Sequence, residues 1–171
     1  LYEQATYKVF AVMVINNDPA DGPIFSYLRT QFADDENFMK FTDEIRARSI
    51  YDFNNVDILP SDELLMLSTC NSKGWVHFDD GRTVVVARKV REGESTEIDT
   101  SLIDVNDDVI MPQAWYVNQG LEPHAYYTDP SYQIERTPYS STDPTAPTTG
   151  TTLPPAIAPT DEPTQEPTEP P

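Results

Sequence analysis

Residues 63–70 read ELLMLSTC. An apolar run, Leu64 to Leu67, gives way to two small hydroxyl residues, Ser68 and Thr69, and stops at Cys70, the only cysteine of the 171 residues. Asn71, Ser72, Lys73 and Gly74 follow and read as loop. A cysteine kept for packing usually sits inside such a run, whereas this one stands where a strand ends. Beyond it, "GWVHFDDGR" carries a turn signal at Asp80-Gly81, and residues 83–91, TVVVARKVR, read as a second strand. Two strands that bracket one loop are expected to lie side by side and antiparallel. That pairing brings Cys70, at the exit of one strand, to the same sheet edge as Arg82, at the entry of the next.

Upstream, residues 7–15, YKVFAVMVI, are β-branched, aromatic and nearly continuous in apolar character, and Asn16-Asn17-Asp18-Pro19 stops them. This predicts a buried strand. Residues 24–32 carry Phe25, Leu28 and Phe32 at helical spacing. A second helix is predicted over residues 34–48: Asp34 or Asp35 can cap it, and Phe38, Phe41 and Ile45 share one face. Arg46 and Arg48 suit the negative end of its dipole. After residue 95 the apolar residues Ile98, Leu102, Ile103, Val105, Val109, Ile110, Trp115 and Tyr116 follow no clean period but are enough to pack on a domain.

Composition divides the chain at about residue 137. Residues 1–136 can build a core. Residues 137–171 are dominated by Thr, Pro and acidic residues, with too little apolar surface to offset ordering entropy, and are expected to be an extended, disordered tail or stalk. The formal net charge of −18 argues against a nucleic-acid partner, because phosphate binding needs clustered Lys and Arg. A single cysteine excludes an intramolecular disulfide framework and a Cys-rich zinc site. Asp18, Asp21, Asp79 and Asp80 follow no calcium-ligand spacing and read as solvated loop residues, so no metal is expected. The chain opens on Leu1-Tyr2 and an apolar strand begins within a few residues. Any targeting or anchoring segment is therefore expected upstream.

A thiol beside a guanidinium has a chemical use. Positive charge favours thiolate, and the fixed donors of arginine can stabilise the oxyanion of a tetrahedral intermediate. Spacing alone leaves two readings open for each residue: a small packing cysteine or a nucleophile, and a solvated arginine or a functional one.

The motifs carry a resemblance that bears on this choice. Met66-Leu67-Ser68-Thr69-Cys70, followed by Arg82-Thr83-Val84-Val85-Val86-Ala87, resembles the Cys strand and Arg strand of sortases, with Met66 where the family pattern has a threonine. The helix over residues 34–48, between the first strand and the Cys strand, is similar to the insertion of class B members. The resemblance covers roughly residues 5–95. It implies a mainly β, mostly antiparallel sortase-like barrel with peripheral helices, lacking its N-terminal strands, so that residues 1–136 form a partial catalytic domain with a C-terminal extension.

The activity implied is cysteine transpeptidation at the bacterial cell surface, without a cofactor. Cys70 would attack a sorting-signal peptide of a surface protein. Arg82 would bind the oxyanion and position the substrate, and Thr69 would line the oxyanion side. A peptidoglycan or pilin amine would then resolve the thioacyl enzyme. The family histidine lies upstream of the cysteine, whereas this chain has only His77 and His124, both after it. The resemblance thus implies a histidine, together with a membrane anchor, upstream of Leu1, and an inactive chain without it. The alternative is a non-catalytic sortase-like surface module on a Thr/Pro stalk, with Cys70 inert.

Overall fold

The computed structural model describes residues 4–71 and 73–134; the tail expected over 137–171 lies outside the described residues. The elements run β1 (Tyr7–Ile15), α1 (Asp35–Ala47), β2 (Tyr51–Phe53), β3 (Leu64–Cys70), α2 (Lys73–Val76), β4 (Arg82–Lys89), β5 (Ile103–Val105), α3 (Gln113–Asn118) and α4 (Ala125–Thr128). The described strands form a three-stranded sheet in the order β1-β4-β3 and a two-stranded ribbon of β2 and β5. These pairings are all antiparallel, and β3–β4 is the pair that the sequence predicts. No helix among the described residues is long and apolar enough to cross a membrane.

β4 is the central strand, flanked by β1 and β3, and its Val84 and Val86 are fully buried on one face. In register, Ser68, Val84 and Met13 lie across one row of the sheet, and Met66, Val86 and Ala11 across the next. Met13, Val84 and Val86 are fully buried in the main core with Phe38, Phe41 and Ile45 of α1. Their face of the sheet therefore carries the helix. α1 starts where Asp34 Oδ1 accepts the Asn37 N–H at 2.8 Å, which satisfies one of the unpaired donors of the first turn. A second core joins Val14 to Val76, Phe78, Met111, Ala114 and Tyr116.

Residues 24–32 are not helical, contrary to their spacing. Their aromatic residues are used separately. Phe25 stacks on Phe41 with centroids 5.7 Å apart, Phe32 meets Phe38 edge-on at 5.1 Å, and Leu28 stays 72% exposed. Tertiary contacts with α1 satisfy Phe25 and Phe32 one at a time, without a common face.

The far end of β4 holds a charge cluster. Arg88 is fully buried, donating to both oxygens of Glu94 at 2.6 Å and to Asp57 Oδ1 at 3.0 Å. Arg91 forks onto Asp62 at 2.8 Å through two nitrogens, and Lys8 reaches Glu94 at 2.7 Å. The Arg88 guanidinium, helped by Lys8, holds the Glu94 carboxyl well below its ordinary value of 4.5. A depressed folded-state carboxylate contributes stability above its unfolded value and loses it as pH falls. We therefore expect the thermal midpoint to drop below about pH 4.5, and Glu94→Gln, costing about 2 kcal/mol at pH 7, to flatten that dependence. A Glu94→Gln profile parallel to that of the parent would show that the cluster is not the source.

Candidate active site at the β3–β4 edge

Cys70 is the last residue of β3, Arg82 the first of β4, and the two are register partners at the open end of the ladder. Partners in an antiparallel pair project to the same face. Here Arg82 Nη1 donates to Cys70 Sγ. The thiol is exposed, and the arginine is half-buried with buried Ile15 of β1 as its partner on the other side. The edge thus presents an accessible sulfur with a permanently charged, multi-donor group against it. That arrangement can deliver a nucleophile to a carbonyl and a donor to the oxygen that becomes negative.

Thr69 pairs with Thr83, and strand alternation turns its side chain to the face opposite Cys70. What it can offer on the Cys70 side is backbone. Arg88 belongs to the charge cluster described above, six positions along β4 from Arg82.

The excursion between the strands is closed at its base. Asn71 N–H donates to Gly81 O at 2.9 Å, and Thr83 Oγ1–H donates to Asn71 Oδ1 at 2.6 Å. Val76 and Phe78, which flank His77, are buried in the second core. Gly81 lies directly beneath them: a Cβ there would stand 2.8 Å from Val76 Cγ2 and 3.1 Å from Phe78 Cε2, so a side chain does not fit. His77 and Asp80 take left-handed backbone conformations, with φ of 63° and 55°. His77 is exposed, and its carbonyl accepts from Asn118 Nδ2 at 2.8 Å. His124 is structural. Its Nδ1 accepts the Tyr126 N–H at 3.0 Å as the cap of α4, which places the ring proton on Nε2, 3.0 Å from Asp108 Oδ1.

An open groove of about 490 Å³ runs beside β3 on the same face as Cys70, lined by the apolar Leu28, Phe32, Phe38, Leu64 and Met66 with Tyr27 and by the charged Arg29, Asp62 and Glu63. Tyr27 O–H donates to Ser68 Oγ at 3.1 Å at its Cys70 end. Ser68 lies two residues before Cys70, roughly 7 Å along the strand. Residues 24–32 are therefore part of the site's surroundings, which their misleading helical spacing conceals. The alternation Leu64, Met66, Ser68, Cys70 is the signal that could have placed the groove.

No protein-family model matches the chain, and no curated protein matches it. Solved structures do. The likeness is to class B sortases. A C232S mutant form of Clostridium perfringens sortase B is 25% identical, covering 52% of this chain and 38% of that one, with a TM-score of 0.44. Clostridium perfringens sortase B itself is 26% identical, covering 52% of this chain and 44% of its own length, at 0.43. A Staphylococcus aureus sortase B–substrate complex is 26% identical, covering 50% of this chain and 35% of that chain, at 0.39. The chain thus spans less than half the length of these sortase B structures.

Proposed function

We propose that the chain carries the cysteine and arginine of a sortase-type transpeptidase acting at the outer face of a bacterial membrane. The observation that carries this reading is the Arg82 guanidinium donating to the exposed Cys70 sulfur at the open end of the β3–β4 ladder. The motif Met66–Cys70 with Arg82–Ala87 adds to it. Cys70 Sγ attacks the carbonyl carbon of a peptide bond in a sorting signal, and Arg82 donates to the developing oxyanion. The C–N bond breaks and the amine leaves with a proton, giving a thioester at Cys70. An acceptor amine from peptidoglycan or a pilin then attacks the thioester, forming a new amide and returning the thiol. The groove between Tyr27 and Met66 suits an extended peptide segment with an apolar side chain.

Protonation of the leaving amine requires a general acid. In the sortases that the Cys and Arg strands resemble, a histidine ahead of the cysteine has this role, whereas His77 sits on the loop after the nucleophile. Intact-protein mass spectrometry of the full-length protein after incubation with a sorting-signal peptide tests the scheme. The protein is expected to gain the mass of the acyl fragment on Cys70, and His77→Ala to leave its rate within about twofold, as for a surface change away from the chemistry. A protein that acquires no adduct sinks the reading, and one that loses it on His77→Ala makes His77 the acid.

A further inference from the structure

We infer that Asn71 and Thr83 form a positioning pair that holds Arg82 against Cys70. The inference rests on the assignment of Cys70 and Arg82 given above. Both residues of the catalytic pair stand at the end of the ladder, where strand ends fray, and the segment between them leaves the sheet altogether. Something must keep the last rung closed. The backbone bond from Asn71 to Gly81 continues the ladder one step beyond Cys70, and the Thr83 hydroxyl binds the Asn71 carboxamide diagonally across the strands. Thr83 follows Arg82 and Asn71 follows Cys70, so this bond lies directly behind the pair, on the opposite face. Among the described residues the Asn71 Nδ2 is buried without a partner. A buried donor left unpaired is a cost that calls for a reason, and holding the ladder end closed supplies one.

Neither side chain touches substrate in this scheme. Their effect passes through the placement of the guanidinium, and that placement can be read without any peptide. Cys70 is the only cysteine, so alkylation of the 171-residue chain reports on it alone. Iodoacetamide is neutral and iodoacetate is an anion, and both react with the thiolate. Their rate ratio therefore cancels the thiolate fraction and reads the local positive charge beside the sulfur. One unit charge about 4 Å from the reagent carboxylate in water is worth roughly fivefold in this ratio.

Arg82→Ala, as the control, is expected to lower the iodoacetate-to-iodoacetamide ratio by about that factor. Thr83→Val, which keeps shape and net charge but removes the hydroxyl, is expected to lower it nearly as far. Thr83→Ser, which keeps the hydroxyl, is expected to restore it, and Asn71→Ala to match Thr83→Val and carry the test should that variant fail to fold. A Thr83→Val ratio equal to the parent's, or a Thr83→Ser ratio as low as that of Thr83→Val, overturns the pair's role. Failure of peptide cleavage would instead count against the transpeptidase reading and leave these ratios to stand.

Discussion

Cys70→Ala abolishes peptide cleavage and acyl-adduct formation in the full-length protein: that is the expected result. The argument is one of chemistry and position together. The thiol is the only group of its kind in the chain, it is exposed, and it stands at the end of the strand whose Leu64 and Met66 line the groove. Alanine removes the atom that forms the bond, so no geometry can compensate. The loss is expected to reach the detection limit of the assay, with substrate affinity nearly kept, because the groove is lined by other residues. Folding is not at stake, since removing an exposed sulfur typically changes stability by less than about 0.5 kcal/mol. Cys70→Ser is expected to be as inactive, because a hydroxyl at neutral pH is a far weaker nucleophile than a thiol. Cleavage that persists in Cys70→Ala, in protein shown to be folded by its thermal midpoint, would remove the transpeptidase reading and leave a surface module with an inert thiol.

What the sequence made legible and what it hid follow from the range of the interactions. β1 and α1 are visible because each is specified locally: a continuous β-branched run in one, and the Asp34 cap with a Phe38–Phe41–Ile45 face in the other. The β3–β4 pairing is visible because a loop bracketed by two apolar runs leaves little other choice, and with it comes the proximity of residues 70 and 82. Residues 24–32 misled because their aromatics are spaced as on a helix but are consumed one at a time by α1, a tertiary effect that no local pattern encodes. The short helix α2 inside the 71–81 excursion has no local signal, since Val76 and Phe78 are drawn inward by Val14 and Met111, residues remote in the chain. The charge cluster was equally hidden. Asp57, Asp62, Arg88, Arg91 and Glu94 share no periodicity, and only the fold brings them together. The motif points to Arg82, and Arg88 lies six positions along the same strand. The two arginines have opposite surroundings, one reaching an exposed thiol and the other saturated by carboxylates.

That difference underlies the remaining prediction. Arg82→Ala is expected to lower kcat by ~10²–10³ with KM changed far less, the usual loss for one preorganised oxyanion donor. Arg82→Lys separates charge from geometry. Lysine keeps the positive charge but replaces a planar fork of fixed donors with a single flexible ammonium. In this structure the contact to the sulfur is made by Nη1, one arm of the fork, and a guanidinium carries further N–H donors in fixed directions. An ammonium cannot reproduce two such directions from one fixed position. Lysine is therefore expected to recover less than about tenfold of the loss, because most of an oxyanion donor's effect lies in its preorganised geometry. Recovery to within about threefold of the parent would mean that charge alone suffices and that the fork is incidental. Arg82→Ala activity within threefold of the parent would exclude the residue from the reaction altogether. The two variants should be compared at matched ionic strength, since a charge effect at an exposed site is screened by salt and a geometric one is not. A lysine enzyme whose shortfall stays constant from low to high salt would mark the arginine's contribution as geometric, carried by where its donors point.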